Sequence, residues 1–293
     1  MSTFARCGLV VKRDAPDALA CLDAVLQCLR SLNIPVMLDD ETRASLAPDE
    51  PSCALEAMPR HADLLIVIGG DGTLLRACRT VLRASLPVLG INLGRLGFMV
   101  DIAPGSIATV LPQIMAGEYV TDPRLVLQAR IAEGDDLGLA VNDVVVRHPD
   151  PVSMLEFATY ADERLISHHR ADGMVISTPT GSTAYALSAG GPMLHPASPA
   201  LAMVPICPHT LNDRPLILPA GKPVRVVISG RDGRGAIVTL DGHHNTALAN
   251  GETLIIEQSE HALTLIHPRD YDWYGILRSK LNWGRDKPAS TPG

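Results

Sequence analysis

The segment that most restricts the architecture is an apolar run, Asp63 to Ile68, which breaks into Gly69-Gly70-Asp71-Gly72-Thr73 and then into a helical pattern from Thr73 to Leu82. A strand, a glycine turn and a helix start in that order belong to βαβ units, and such units build a parallel sheet. The chain before it alternates in the same way. Cys7 to Val11 reads as a strand. Ala15 to Leu32 sets Leu19, Leu22, Val25, Leu26 and Leu29 at spacings of three and four, one apolar helix face. Asn33 to Leu38 is the next strand, and Asp40 to Pro59, with Pro48, Pro51 and no clear period, is expected to be a surface loop. A further strand, Pro87 to Ile91, leads into Asn92-Leu93-Gly94-Arg95-Leu96-Gly97-Phe98. Two glycine loops at the carboxyl ends of parallel strands mark a ligand crevice.

After about Tyr119 the pattern changes. Leu125 to Ile131, Leu139 to Val146, Met154 to Ala161, Met174 to Thr178, Val224 to Ser229, Ala236 to Leu240 and Leu254 to Glu257 are strand-like, and Gly, Pro and Asp punctuate them as in an all-β sandwich. At 293 residues the chain is about twice the length of a ~150-residue domain, which favours two lobes. The expected division is an α/β domain with a parallel sheet over 1–122, a mostly β, sandwich-like domain over 123–266, and a C-terminal segment, 267–293. That last segment gathers Tyr271, Trp273, Tyr274 and Trp283 with Leu277 and Leu281 at helical spacing. Such a cluster seldom stays in water, so a C-terminal helix is expected to return to the first domain, with packing on the β lobe as the alternative. Lys287 to Gly293 reads as a frayed tail.

Composition removes whole classes of function. An apolar fraction of 46% excludes disorder, while the longest clean apolar stretch, Leu64 to Ile68, is far short of the ~20 residues that span a bilayer. Twenty-five Lys and Arg against 32 Asp and Glu give a net charge of -7 with no basic stripe, which argues against nucleic acid as a partner. The six cysteines are scattered without a CxxC pair, and Lys12, Arg13 and Asp14 interrupt any export signal. A cytoplasmic protein with reduced thiols and no membrane partner is expected.

In Gly69-Gly70-Asp71-Gly72-Thr73 the glycines let backbone amides approach an anion, and the helix that follows directs its positive end toward it. Asp71 beside phosphates is repelled unless a divalent cation intervenes or the carboxylate acts on a hydroxyl, so it points to phosphoryl transfer. The plainer reading is an aspartate that tightens the turn and caps the helix. Other phosphate motifs fail: Leu75 stands where GxGxxG needs its last glycine, and Gly221-Lys222 runs into Pro223 without the remainder of a Walker loop. Thr178-Pro179-Thr180-Gly181-Ser182-Thr183-Ala184-Tyr185, with Ser188 and Gly190-Gly191 beyond it, offers hydroxyls and amides for sugar or phosphate oxygens and a ring face for a base. An ordinary hydroxyl-rich helix cap explains it as well, and without GxSxG it is no serine hydrolase. Asn142-Asp143 lies in an apolar stretch, where Asn suits an adenine edge and Asp a ribose hydroxyl; alone, an edge-strand bulge is the better reading. Arg170 and Asp172 alone read as a surface ion pair. His168-His169 and His243-His244 are adjacent in strands and face opposite ways, so no protein metal site is assigned.

Taken together, the GGDGT turn, Asn142-Asp143, Asp172-Gly173 and Thr178 to Tyr185 make the chain resemble the NAD kinase family. The likeness extends through Leu96 to Phe98, Gly190-Gly191-Pro192, Pro208-His209-Thr210-Leu211 and His267-Pro268. The resemblance implies ATP-dependent phosphorylation of the 2'-hydroxyl of the adenosine ribose of NAD, giving NADP, with Mg2+ or Mn2+. It also implies a homotetramer or homodimer with NAD bound between lobes. Carried over by position, Asp71 is the catalytic carboxylate, and Gly69, Gly70, Gly72 and Thr73 form the phosphate loop. Gly72, Arg76 and Phe98 lie by the dinucleotide. Asn142 and Asp143 hold adenine and ribose, Thr183, Ala184, Tyr185 and Ser188 line the NAD pocket, and Arg170 and Asp172 reach the nicotinamide side or a partner subunit. Arg170 resembles the branch that favours NAD over NADH and ATP over polyphosphate. Where many members carry Gln after an Asp-Gly turn, this chain has Asp241-Gly242-His243-His244, so His243 takes that place. The rival readings are another kinase built on the same turn, with a diacylglycerol- or sphingosine-like acceptor, and a dinucleotide sensor without turnover.

Overall fold

A computed structural model describes residues 3–94, 97–150, 153–210, 212–230 and 233–283; the side chain of His244 lies outside that description, as do Arg95, Leu96, Leu211 and the tail Lys287 to Gly293. The chain divides into two compact units, one formed by Met1–Asp122 with Leu263–Gly293 and the other by Pro123–Ala262.

The first unit runs β1 (Cys7–Val11), α1 (Ala18–Ser31), β2 (Val36–Asp39), α2 (Asp40–Leu46), β3 (Ser52–Cys53), β4 (Leu64–Gly69), α3 (Asp71–Val81), β5 (Val88–Asn92), α4 (Ile107–Met115) and β6 (Tyr119–Arg124). The second holds β7 (Leu127–Ile131), β8 (Asp136–Ala140), β9 (Asp143–Arg147), β10 (Leu155–Ala161), β11 (Arg164–Ala171), β12 (Gly173–Ser177), α5 (Tyr185–Ser188), β13 (Ala200–Ile206), β14 (Leu216–Pro219), β15 (Val224–Ile228), β16 (Ala236–Leu240), β17 (His243–Leu248) and β18 (Thr253–Gln258). The chain then returns to the first unit as β19 (Leu263–Pro268) and α6 (Trp273–Leu281).

Strands of the first unit lie in the order β3-β2-β1-β4-β5-β19-β6. The pairs from β3 through to β19 are parallel, as in Leu9↔Ile66 and Ile66↔Leu89. β4 is buried along its whole length, which is why its sequence is a continuous apolar run rather than an alternation. Helix α1 covers one sheet face with Ala18, Cys21, Leu22, Val25, Leu26 and Leu29; Leu19 is rotated off that stripe and stands 49% exposed, contrary to its expected place on it. The expected loop from Asp40 to Pro59 is also corrected, because α2, β3 and a 3-10 turn over Leu55–Arg60 occupy it. Extended Asp39 precedes α2, and Asp40 and Glu41 complement the positive end of the first turn. Buried Thr42 ties α2 to the sheet, accepting from the Val11 amide at 2.9 Å and donating to Asp39.

The second unit is two six-stranded sheets, β11-β10-β15-β18-β7-β8 and β14-β13-β12-β9-β16-β17. Its core draws Phe157, Val226, Leu254 and Ile256 from the first of these and Val144, Met174, Ile176, Leu201 and Val238 from the second. The single strand expected over Leu139 to Val146 is two strands in different sheets, and the chain crosses at Val141-Asn142. The bulge reading of Asn142-Asp143 gives way with it, since β9 is an inner strand flanked by β12 and β16. In the first unit, α6 buries Trp273, Ile276 and Leu277 and leaves Tyr274 exposed.

Candidate functional site

Gly70 is extended (φ -113°, ψ -177°), so α3 begins abruptly and Asp71 is its first residue. No heavy atom would meet a Cβ added at Gly70 or Gly72, which leaves open space beside the amides at the helix start, whereas Gly69 is packed so closely that a Cβ would stand 2.8 Å from the Thr73 side chain. The Asp71 carboxylate is turned away from its own helix, whose first-turn amides of Thr73 and Leu74 go to the Gly70 carbonyl instead. It accepts from the Phe98 amide at 2.8 Å and the Met99 amide at 3.0 Å. The capping alternative therefore fails, and the first glycine loop is tied to the second by one side chain. The tie explains Gly97, where a Cβ would lie 2.1 Å from an Asp71 oxygen. Arg76, one turn further along α3, pairs with Glu41 at 3.1 Å, and Glu41 also reaches Arg13 at 3.4 Å. Lys280 of α6 lies over the Phe98 ring, 5.3 Å from its centroid.

In the second unit the chain crossing before β9 makes a polar cluster. The Asp241 carboxylate accepts from three successive amides, Val141 at 3.0 Å, Asn142 at 2.7 Å and Asp143 at 3.2 Å. Carbonyls of the same peptides are held from the other side: Thr178 donates through its hydroxyl to Val141 at 2.6 Å and through its amide to Asn142 at 2.9 Å. With the backbone saturated, the side chains are left to act outward. Asn142 Oδ1 is buried without a protein hydrogen-bond partner, which leaves it able to accept from a water or a ligand. Asp143 is 5% exposed, and burial, with the Asp241 charge second, pushes its carboxyl up to about 7.

The hydroxyl-rich segment is turned more inward than its composition implied. Ser182 donates to the Pro179 carbonyl at 2.6 Å and accepts from the Leu194 amide, Thr183 donates to the Thr180 carbonyl at 3.1 Å, and Thr180 accepts from buried Arg124 at 3.3 Å. The hydroxyls of Thr178, Thr180, Ser182 and Thr183 hold the turn, while Tyr185, at the first position of α5, keeps 45% of its surface in solvent. Ser188, at the last position of α5, is exposed. Partial burial raises the Tyr185 hydroxyl, with lesser contributions from Cys207, Asp143 and Asp172. Arg170 and Asp172 are not an ion pair: Arg170 reaches Glu156 across the β10–β11 ladder at 3.9 Å, and Asp172 hydrogen-bonds the Cys207 thiol and raises it. His243 Nδ1 stands 2.8 Å from the Asp241 carbonyl, to which it donates.

Sequence reasoning missed Asp241, Gly97, Arg124 and Glu41. Asp241-Gly242 was legible as a turn, and both residues adopt positive φ (51° and 71°), but nothing local shows that the acid reaches a segment a hundred residues earlier. Among the described residues no three His, Cys, Asp or Glu side chains converge as a metal cage.

A parallel sheet whose glycine turn opens beside a helix start, followed by a β sandwich with an unsatisfied polar cluster, defines a class of two-unit, nucleotide-handling proteins. Residues 7–119 match the model of the ATP-NAD kinase N-terminal domain, and residues 141–268 match the ATP-NAD kinase C-terminal domain. An NAD kinase of Ralstonia nicotianae is 41% identical over 286 residues, covering 96% of this chain and 94% of that one. One from Nitrosococcus oceani is 41% identical over 286 residues, covering 95% and 96%. Among solved structures, an NAD kinase from Archaeoglobus fulgidus in complex with ATP aligns with a TM-score of 0.74 at 27% identity, over 94% of this chain and 99% of that one. Yeast NADH kinase complexed with NADH shares the fold, with a TM-score of 0.87 at 22% identity over 98% and 89%. The chain belongs to the NAD kinase family.

Proposed function

We infer that this chain transfers the terminal phosphoryl group of ATP to the 2'-hydroxyl of the adenosine ribose of NAD, giving NADP. Family membership supports the substrates, and the observation that carries the chemistry is Asp71: an acid held by two amides at the mouth of a glycine turn whose outer side is open. Each Asp71 oxygen retains one lone pair beyond its amide bond, enough to accept the hydrogen bond of a sugar alcohol and orient it for in-line attack. A carboxylate is a weak base toward an alcohol, so the proton moves late in a loose transition state, and positioning supplies most of the rate. In the phosphate loop of Gly69, Gly70, Gly72 and Thr73, the amides of Gly70 and Gly72 face open space and are suited to phosphate oxygens, while the Thr73 amide is held by the Gly70 carbonyl at 3.0 Å. A divalent cation, Mg2+ or Mn2+, enters on the triphosphate and offsets its charge.

For the dinucleotide, the reading assigns adenine to Asn142, whose buried oxygen lacks a partner, a ribose hydroxyl to Asp143, and ring stacking to Tyr185. Gly72, Arg76, Phe98, Thr183, Ala184, Ser188 and His243 are assigned to its surroundings, and Arg170 and Asp172 to the nicotinamide side or a neighbouring subunit. Self-association as a homodimer or homotetramer is part of the same reading; β14, an edge strand with Leu216 and Ile217 40% and 43% exposed, supports it. A cytoplasmic setting is supported by six free thiols, and no described helix is long and apolar enough to cross a membrane. The test is ATP-dependent NADP formation by purified protein. Turnover lost in Asp71→Asn with the fold retained is the expected result; tight NAD binding with no product from any donor would mark a sensor and overturn the kinase reading.

A further inference from the structure

His267, in β19, is wholly buried between two acids. Its Nδ1 is 3.0 Å from Asp101 Oδ2, its Nε2 is 3.5 Å from Asp122 Oδ2, and Tyr271 stacks on the ring with centroids 3.9 Å apart. With its proton on Nδ1 the ring donates to the Asp101 carboxylate at 3.0 Å, and Asp122 stands on its other side. Ionisable groups brought into a core are costly to bury and seldom add net stability, so the value of this pair lies in what it positions. Asp101 lies two residues beyond Met99, whose amide holds Asp71, in a loop that is also tied to β5 by the Asn92 amide donating to the Ile102 carbonyl at 2.8 Å. The same C-terminal segment touches that loop a second time, through Lys280 over Phe98.

We propose that His267 is a positioning residue for phosphoryl transfer: by gripping Asp101 it fixes the Phe98–Asp101 loop, whose amides set the orientation of the Asp71 carboxylate. The inference rests on the kinase reading and adds to it a link from the last strand to the reacting acid. His267 touches no substrate; it acts through Asp101 and two amides. Displacing a reacting group by an ångström can cost about 100-fold in rate, so a loosened loop should register in kcat before it registers in affinity.

The experiment is steady-state kinetics on the full chain. Wild-type protein that makes no NADP would refute the parent reading by itself, before any variant is compared. With active wild type, Asp101→Ala should lower kcat about 10- to 100-fold while KM for NAD and ATP stays within about twofold, and Asp101→Asn, whose amide oxygen still accepts from Nδ1, should recover most of the loss. In an Asp71→Asn background Asp101→Ala should add no further loss, because both act on one group. Should Asp101→Ala not fold, His267→Gln is read for the same split. Unchanged kcat, losses of kcat and affinity that track the unfolded fraction, or full multiplicative loss in the Asp71→Asn background would each overturn the proposal.

Discussion

Replacing Asp143 with asparagine separates the energetics of the polar cluster from its chemistry. In the folded chain burial and Asp241 push the Asp143 carboxyl from 3.8 up to about 7. The folded state therefore binds a proton that the unfolded state releases across that interval. For a carboxyl shifted upward, the favourable contribution is complete below about pH 4 and is lost as pH rises through about 7. At roughly 1.4 kcal/mol per pH unit, ionising Asp143 in place costs about 4 kcal/mol by pH 8. The amide that the Asp143→Asn variant carries has nothing to ionise. The difference in urea unfolding free energy, Asp143→Asn minus wild type, should then climb by up to about 4 kcal/mol between pH 4 and pH 8, with other titrating groups cancelling in the subtraction. The same variant should bind NAD more weakly, since it gives up a charged acceptor for a sugar hydroxyl. A difference flat with pH over that range would refute both the raised carboxyl and the view that its charge is kept for a ligand at the expense of stability.

Asp241→Asn should shift the Asp143 transition, read in the same pH series, toward lower pH by removing the like charge beside it, and should cost stability by weakening three amide bonds to a carboxylate. Gly97→Ala would place a methyl group 2.1 Å from an Asp71 oxygen; an about 100-fold loss of kcat with little change in KM is expected from single-turnover and steady-state rates. Tyr185→Ala should raise the KM for NAD about tenfold through loss of the exposed ring, while Tyr185→Phe stays near wild type; equal losses would show that the hydroxyl and not the ring face matters. Chelation of divalent cations should stop turnover without moving the melting temperature, because no described cluster of acids depends on one for folding.

Legibility in the sequence followed the local character of each signal. β4, the glycine turn and α3 could be read because strand, turn and helix there are decided within about twenty residues by burial and backbone freedom. α2 was hidden, since its first turn is acidic and its only fully buried anchor is Thr42. The extents of β11 and β17, sensed only through their paired histidines, escaped because each is the edge strand of its sheet and carries polar residues such as His168, Arg170 and Asn245, so neither shows a clean alternation. Asp71, Asn142, Asp143 and Tyr185 drew notice through unusual local composition, and the structure gives them a held carboxylate, a partnerless oxygen, a buried acid and an exposed ring. Their holders drew none. Asp241 and His267 act on segments about 100 and 166 residues away in sequence, and pairing at that range leaves no mark in spacing or period.

β19 lies between β5 and β6 in the finished sheet, although it is made some 140 residues after β6. During synthesis the sandwich is complete before that gap can be filled, so the α/β unit must wait with two unpaired strand edges and an open core. Vectorial growth from the ribosome thus closes the molecule in the reverse of its reading order, with the strand that bears His267 as the final stave.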